Sequence, residues 1–389
     1  MNLEAKLTRK VNYIFEDFTY CWEVLEKTLA LSPSELVTMI TASDLRGRGG
    51  AGFPTGLKWK FAQEASGDEK YVICNADEGE PGTFKDREIL ERQPEKVFLG
   101  MVICGKAIGA RTGYIYLRGE YAYLLEHLGP RLDAFHGELR RRGVAFSIEI
   151  RLGSGAYVCG EETALIESLE GKRGEPRNKP PYPAVRGFRD CPTVVNNVET
   201  LVYCTLILHH GPEHFQQLGT KDSRGSKLFC VSGDTEKRGI YELELGMTLQ
   251  QFTDLFSDGF TKAVQVGGPS GFCVARKDFA STVIGFEGIP TGGSMMLFNS
   301  TRSMYNILHN FLEFFCEESC GQCTPCRVGC QQLLLGIEAV KRKELPPTHL
   351  DTLRKLAATM RITAKCGLGQ SVPNCFTSIV ENFREEIVY

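Results

Sequence analysis

Apolar and polar positions alternate with different periods along the chain, and the changes of period divide it into four parts. In residues 1–44 apolar positions recur at helical spacing, and Ser32 followed by Pro33 is a typical helix start. This part is predicted to form one or two amphipathic helices. In residues 45–220 short apolar runs such as KYVICNA, GYIYLRG and FSIEIRLG alternate with helix-length segments and glycine-rich loops, which predicts an α/β layer.

The remaining two parts have different patterns. Residues 221–300 contain the strand-like runs KLFCVSG and GIYELEL, followed by the helical pattern of LQQFTDLFSDG, which is typical of a small β-grasp domain. Residues 301–389 carry no strand pattern, and four periodic segments of helix length surround a group of cysteines. We therefore expect a separate C-terminal helical bundle.

Composition narrows the function classes. The chain has 389 residues, 42% hydrophobic and 24% charged, with a formal net charge of -3, which gives no basis for nucleic-acid binding. The N-terminus is charged throughout and lacks the apolar core of a signal peptide, so the 15 cysteines are expected to be reduced thiols of a cytoplasmic protein. No apolar stretch is long enough to span a bilayer, so any membrane contact is expected to run through partners.

Three cysteines at two-residue intervals stand in the run ESCGQCTPCRVGC, namely Cys320, Cys323 and Cys326. This spacing lets a short backbone arc hold three corners of a 4Fe-4S cube, and a protein with such a cube moves electrons one at a time. The fourth ligand is predicted to be Cys366 in TAKCGLGQ, with Cys330 and Cys375 as weaker candidates. A structural zinc site and a set of ordinary buried thiols are the alternatives.

The second informative segment is the loop RGRGGAGFPTGLKW, in which five glycines remove side chains from the backbone. Successive bare amides form a nest that binds anions, and Arg48 and Lys58 would add positive charge beside a phosphate. A flexible surface turn is the alternative, but a linker rarely contains interleaved Phe53, Pro54 and Trp59. The loop is interpreted as a flavin or nucleotide loop, although its spacing is not the usual dinucleotide fingerprint.

Polar side chains follow the apolar strand in VICNADEGEPGTFKDRE, where Asn75, Asp77, Glu78 and Glu80 come in rapid succession. The carboxyl end of a parallel strand is where α/β folds bind ligands, and acids there can bind ribose hydroxyls or polar ring edges. A solvated acidic turn is the alternative.

A fourth block, GSGAYVCGEETALIESLEG, has Glu161 and Glu162 at a predicted helix start, where acids interact favourably with the helix dipole. It is followed by a rigid proline-rich loop and by CPTVVNNVET, in which Asn196 and Asn197 offer amide donors and acceptors. Together they are predicted to clamp a ligand, with a plain connector and a turn as alternatives.

From about Leu45 to the end, these four motifs in this order resemble the NADH-oxidising flavoprotein subunit of complex I and its relatives in NAD-linked hydrogenases and formate dehydrogenases. The stretches KCGLGQSVPN and NFLEFFCEESCG favour the hydrogenase and formate dehydrogenase members. The resemblance implies a Rossmann-like domain for FMN and NADH, an SLBB-like β-grasp domain, and a helical bundle that carries one 4Fe-4S cluster.

By this resemblance, each group of residues has an expected ligand. The FMN contacts would be Gly47, Arg48, Gly49, Gly50, Lys58, Asn75, Asp77, Glu78, Gly160, Glu161, Val195, Asn196, Asn197 and Thr200. The NADH contacts would be Phe53, Phe61, Glu80, Tyr157, Glu162, Lys179 and Tyr182. The cluster ligands would be Cys320, Cys323, Cys326 and Cys366. No side chain is expected to act as a catalytic nucleophile, because a flavin accepts the hydride itself.

The resemblance implies an NADH dehydrogenase subunit that passes hydride electrons through FMN to a 4Fe-4S cluster and on to partners. These would be a thioredoxin-like 2Fe-2S subunit and a larger iron-sulfur or catalytic subunit, in a soluble hydrogenase or formate dehydrogenase complex. Alternatives are the same subunit of complex I, an electron-bifurcating complex that uses ferredoxin, and a scaffold that has lost its flavin. Glu80 is also predicted to repel the extra phosphate of NADPH.

Overall fold

The structure of the protein is a computed structural model that describes residues 11–388. Of the predicted N-terminal helical part, residues 1–10 lie outside the described range. The rest of that part forms two helices, α1 (Cys21–Ala30) and α2 (Pro33–Ala42). The predicted start of α2 is confirmed, since the Ser32 hydroxyl accepts from the backbone N–H of Glu35 and the Glu35 carboxylate accepts from that of Ser32.

The α/β layer is built on a four-stranded parallel sheet in the order β3-β2-β1-β4. Its strands are β1 (Tyr71–Ala76), β2 (Thr112–Leu117), β3 (Ser147–Leu152) and β4 (Thr193–Asn197). Its helices are α3 (Thr55–Glu64), α4 (Lys85–Arg92), α5 (Pro94–Ile108), α6 (Leu125–Arg141), α7 (Glu162–Leu169), α8 (Val198–His210) and α9 (Pro212–Gln216). The Rossmann-like layer predicted for this part is confirmed, and the segment VVNN is its fourth strand rather than a turn.

Strands β1, β2 and β4 are buried on both faces, as expected for a parallel sheet, while the edge strand β3 is largely exposed. Successive side chains of a strand point to opposite faces. Val72 and Cys74 of β1 therefore join the core under α5 and α8, while Tyr71 and Ile73 face the other core. That second core is shared with α7 and the C-terminal helices.

The next part is a five-stranded mixed sheet in the order β6-β5-β9-β7-β8. Its elements are β5 (Ser226–Gly233), β6 (Gly239–Glu244), α10 (Leu249–Phe256), β7 (Thr261–Val266), β8 (Phe272–Ala275) and β9 (Ser294–Asn299). Phe252 and Phe256 of α10 join a core with Phe229, Val264 and Leu297 from the sheet. This is the predicted β-grasp arrangement, in which β5 pairs parallel to β9 and antiparallel to β6.

The C-terminal part is helical, as predicted. It consists of α11 (Met304–Glu318), α12 (Thr324–Lys341), α13 (His349–Thr363), α14 (Gly367–Asn382) and α15 (Arg384–Val388). The predicted domain limits near residues 45, 221 and 301 fall in loops between elements, and they stay predictions. Among residues 11–388 no helix is both long and apolar enough to cross a membrane.

Helices α5 and α8 approach so closely at Gly100 that a Cβ built there would lie 2.3 Å from the carbonyl oxygen of Leu201. Gly100→Ala is therefore expected to lower the free energy of unfolding by about 1–3 kcal/mol, because backbone cannot move aside cheaply. The control is Gly137→Ala in α6, where the nearest atom to such a Cβ is 3.9 Å away. The control is expected to gain about 0.5–1 kcal/mol from helix propensity. Thermal unfolding of both variants measures the difference, and equal midpoints would contradict the close approach.

Candidate functional site

A cavity of about 400 Å³ opens at the carboxyl ends of β1 and β4, where the α/β layer, the β-grasp part and the helical bundle meet. The α/β layer contributes the glycine loop at Gly49 and Gly50, the segment after β1, and Tyr157 to Glu161. The β-grasp part contributes Gly267, Ser270 and Gly292, and the bundle contributes Gly367, Leu368 and Ser371. Ten of the predicted FMN and NADH contacts line this cavity, namely Gly49, Gly50, Asn75, Asp77, Glu78, Glu80, Tyr157, Gly160, Glu161 and Asn197.

The glycine loop closes on itself, because the N–H of Gly47 donates to the carbonyl of Phe53 at 3.0 Å. Glycine is required within the loop at Gly52, which has a φ of +66° and whose Cβ would meet the ring of Phe286 at 2.1 Å. A Cβ on Gly49 would lie 3.2 Å from that of Asn197. Bare backbone therefore faces the cavity where side chains would narrow it.

The end of β1 is fixed against the start of α7. The Asn75 amide donates to the carbonyl of Gly160 at 2.8 Å, and its oxygen accepts from the N–H of Asp77 at 3.1 Å. Glu161 caps α7 by accepting from the N–H groups of Thr163 and Ala164. The predicted helix start at Glu161 is confirmed, and its cap orients the cavity wall.

Two carboxyl groups in the cavity have strongly raised pKa values. Burial raises the pKa of Asp77 to about 7, and its Oδ2 is buried without a hydrogen-bond partner. Burial likewise raises the pKa of Glu78 to about 7. The Glu78 carboxylate accepts from the N–H groups of Asp86 and Arg87 and from the Tyr121 hydroxyl at 3.1 Å. Asp77 thus presents an unsatisfied oxygen, while Glu78 is held by the start of α4.

Lys85 and Asp86 line the cavity but were not singled out from the sequence, although they lie within the quoted run. The Lys85 ammonium contacts Asp86 at 2.7 Å, Glu199 at 3.0 Å and the Asn197 amide oxygen at 3.2 Å. Asn197 in turn donates to Asp86 at 2.6 Å. Local spacing does not indicate such a buried network, because its members come from segments about 110 residues apart.

Glu80 receives donors from two parts of the molecule. The Tyr157 hydroxyl donates to it at 2.5 Å, and Ser270 donates through its hydroxyl at 2.7 Å and its N–H at 3.1 Å. Burial raises the pKa of Glu80 above its usual range, although these hydrogen bonds favour the charged form. Ser270 had no signal of its own in the sequence, since it lies in a loop of the β-grasp part.

Several predicted FMN contacts are not among the residues that line the cavity. Arg48 is buried, its guanidinium donating to the carbonyl of Arg224 at 2.7 Å and lying over the Tyr203 ring. Its backbone N–H donates to the Thr200 hydroxyl at 2.8 Å. The Asn196 amide oxygen accepts from the Trp59 indole at 2.8 Å. These side chains support the loop and the end of β4 from behind.

Lys58 and Lys179 are paired with acids near the cavity. The Lys58 ammonium lies 3.0 Å from Glu162 and donates to the Val195 carbonyl at 3.1 Å. The Lys179 ammonium lies 2.6 Å from Glu161. The residues that line the cavity do not include Lys58, Val195, Glu162 or Lys179, which therefore lie outside its lining.

Three predicted NADH contacts are exposed aromatic side chains outside the cavity lining. Phe53 and Phe61 are both 44% exposed, with Phe53 in the loop before α3 and Phe61 within that helix. Tyr182 is 59% exposed. Their exposure leaves these rings available for contact with a ligand or a partner.

The four predicted cluster ligands are together. They line a recess whose volume, including the part open to solvent, is about 270 Å³. The four predicted ligands are Cys320, Cys323, Cys326 and Cys366. Within residues 11–388 no three His, Cys, Asp or Glu side chains converge closely enough for a single metal ion. Four thiols around one recess are the ligand set of a 4Fe-4S cube, which has one iron at each thiolate.

The two weaker candidates lie behind the recess. The Cys330 sulfur is 4.0 Å from that of Cys326, one helical turn earlier in α12. Cys375 is fully buried in α14, where its thiol contacts the carbonyl of Val372 at 3.4 Å. Neither is among the residues that line the recess.

The recess and the cavity share a wall. Val158 and Leu368 line both spaces. Cys366 is the N-cap of α14, and the first turn of that helix contributes Gly367, Leu368 and Ser371 to the cavity. One helix start therefore carries a predicted cluster ligand on one side and the cavity wall on the other.

Comparison with known proteins defines the class. The model of the Nuo51 FMN-binding domain matches residues 40–205, and the model of the iron-sulfur binding region of NADH-ubiquinone oxidoreductase F matches residues 306–389. The chain belongs to the family of F-type NADH oxidoreductase subunits, and it contains the FMN-binding domain and the 4Fe-4S region of that family.

Among its relatives, the alpha subunit of the NAD-reducing hydrogenase HoxS from Cupriavidus necator is 44% identical over 98% of this chain and 65% of that protein. The F-type subunit of NADH-quinone oxidoreductase in Aquifex aeolicus is 42% identical over 94% of this chain and 88% of that protein. A crystal structure of an NAD+-reducing NiFe-hydrogenase in the air-oxidised state superposes with a TM-score of 0.90 at 43% identity, covering 97% of this chain and 65% of that one. The chain thus spans about two thirds of the length of the hydrogenase subunit.

The residues present fit both groups. The cavity volume lies in the range of cofactor pockets, bare glycine backbone lines one side, and the buried Asp77 Oδ2 lacks a partner. The recess offers four thiols, which are the ligands that iron-sulfur cubes use.

The raised pKa of Asp77 predicts a pH-dependent stability. Between its ordinary value of 3.8 and about 7, the folded protein binds a proton that the unfolded chain lacks, so stability falls as the pH rises through this window. Asp77→Asn removes this loss. Its free energy of unfolding, relative to that of the parent, is therefore expected to rise by about 1–3 kcal/mol from pH 5 to pH 8. Unfolding of the flavin-free protein at both pH values measures it. The control is Asp68→Asn, an exposed carboxyl before β1. A gain for Asp77→Asn that is the same at pH 5 and pH 8 would contradict the raised pKa.

Proposed function

We propose that the chain is an NADH dehydrogenase subunit that passes electrons from NADH, through FMN in the cavity, to a 4Fe-4S cluster in the recess. The observation that carries this proposal is the wall formed by Val158 and Leu368, which line both spaces. Bound FMN supplies the exchange between a hydride and single electrons. Two sites separated by one layer of side chains suit that exchange, because each electron then crosses only that layer.

The residues of the chain hold and orient the ligands. The glycine loop and Gly160 leave room for a flat ring, and Asn75, Asp77 and Asn197 offer polar atoms around it. These segments are supported from outside the cavity lining by Lys58, Arg48, Asn196, Val195 and Thr200. No cavity side chain is assigned as a nucleophile, so the proposed catalysis is positioning of the nicotinamide against the flavin.

The NADH-binding site is assigned to the solvent-exposed edge of the cavity, called the rim. Phe53 in the loop before α3 and Phe61 on α3 both expose aromatic rings, which can stack on an adenine. Glu80 lines the cavity and would border the nucleotide, and the Tyr157 hydroxyl donates to it at 2.5 Å. Glu162, Lys179 and Tyr182 border the path between rim and cavity.

Glu80 is expected to disfavour NADPH, because a carboxylate near the extra phosphate adds repulsion. Glu80→Gln keeps the shape and removes the charge, so kcat/KM for NADPH should rise by about 3- to 30-fold while that for NADH changes much less. Because burial raises the pKa of Glu80, the preference of the parent should also weaken as the pH is lowered. Glu64→Gln at the exposed end of α3 is the control. An unchanged NADPH to NADH ratio in Glu80→Gln would refute this role.

The cluster is assigned to Cys320, Cys323, Cys326 and Cys366. Cys366→Ser is expected to lose most of the iron and the cluster's EPR signal, because serine replaces the thiolate at one corner. Hydride transfer to an artificial acceptor should persist, since the cavity retains its polar groups. Cys375→Ser, which changes a buried thiol outside the recess, should keep the cluster. A normal EPR signal in Cys366→Ser would remove Cys366 from the ligand set.

The partners are proposed from the relatives. The chain is similar to a subunit of an NAD-reducing hydrogenase and to F-type subunits of NADH-quinone oxidoreductases. We assign it to a soluble cytoplasmic complex with a thioredoxin-like 2Fe-2S subunit and a larger iron-sulfur or catalytic subunit of hydrogenase or formate dehydrogenase. Identification of the subunits that purify with the native chain tests this, and membrane-arm subunits among them would contradict it.

A further inference from the structure

We propose that Cys330 and Ser319 are positioning residues that raise the reduction potential of the cluster by donating hydrogen bonds to the sulfur of Cys326. This inference rests on the proposed ligation of the cluster by Cys326. Both side chains lie outside the set of four ligands, and both contact the same ligand sulfur. The Ser319 hydroxyl is 3.2 Å from it, and the Cys330 thiol is 4.0 Å from it.

The direction of both hydrogen bonds follows from chemistry. A thiolate that binds iron carries no proton, so Cys326 can only accept. The Ser319 oxygen already accepts from the N–H of Gly321 at 3.2 Å, which leaves its single proton to donate. The Cys330 thiol is 1% exposed among apolar side chains of the bundle, so water cannot supply it with a competing acceptor.

Helix geometry fixes both donors. Cys326 and Cys330 are four positions apart in α12, which places their side chains on one face. Ser319 follows the last residue of α11, and its N–H donates to the carbonyl of Phe315 at 3.1 Å. One donor therefore lies on α12 and the other directly after the end of α11.

Reduction adds one electron to the cluster, and no bond forms or breaks at these residues. The protons stay on Cys330 and Ser319 throughout. The added negative charge is shared with the ligand sulfurs, so donors to Cys326 stabilise the reduced state more than the oxidised state. Removing a donor must lower the potential.

The test is an EPR-monitored redox titration of the purified full chain with its cofactors. Cys330→Val fills a similar volume without a donor, and Cys330→Ser keeps a donor. In Cys330→Val the ratio of reduced to oxidised cluster at a fixed potential should fall by up to about tenfold, equivalent to about 59 mV for one electron. Cys330→Ser should restore most of it, and Ser319→Ala should lower the potential in the same direction.

Cys375→Val is the matched control, because it also removes a buried thiol of the bundle but contacts the Val372 carbonyl instead of a ligand sulfur. Its potential should equal that of the parent. A parent-like potential in both Cys330→Val and Ser319→Ala would overturn the inference, and so would loss of iron in Cys330→Val, because Cys330 would then be a ligand. A parent protein without any 4Fe-4S signal would overturn the inference together with the proposed function.

Discussion

A single buried carboxylate, Glu199, holds together the segments that enclose the cavity. It has no exposed surface and contacts the ammonium of Lys85 at 3.0 Å and that of Lys227 at 2.9 Å. Lys227 also donates to the carbonyl of Arg48 in the glycine loop at 2.8 Å. Burial alone would raise the pKa of Glu199, but the two lysines hold it below its usual range. Since an uncompensated buried charge costs about 3–5 kcal/mol, the glycine loop, the start of α4 and strand β5 are fixed together at this point.

This constraint explains why the site lies where three parts of the molecule meet. The parallel sheet brings the ends of β1 and β4 side by side, with Asn75 opposite Asn197 in the register. Its second face is buried against the C-terminal helices, which brings the start of α14 to the same edge. The β-grasp part closes the remaining side through Ser270, whose carbonyl accepts from Asn374 of α14 at 2.9 Å. The cavity and the cysteine recess are consequently neighbours because of packing, although the glycine loop and Cys366 are more than 300 residues apart.

The sequence predicted the secondary-structure elements and motifs better than the contacts between distant segments that form the site. The spacing of Cys320, Cys323 and Cys326, the glycine loop and the polar end of β1 are local patterns, and each lies at the recess or the cavity as expected. The contributions of Lys85, Asp86 and Ser270 depend on contacts between distant segments, which no local period encodes. Arg48 and Asn196 are predicted ligand contacts that do not line the cavity. Their side chains form hydrogen bonds to Arg224 and Trp59 behind it.

In the proposed function, electrons enter at the cavity and leave at the recess across one shared wall. The most direct test is NADH-dependent reduction of the cluster in the purified chain under anaerobic conditions, followed by EPR before and after removal of FMN. A reduced-cluster signal is expected when FMN is bound, and the signal should be lost when FMN is removed and return when FMN is restored. A cluster that NADH reduces equally well without FMN, or that stays oxidised with FMN bound, would rule out this electron path.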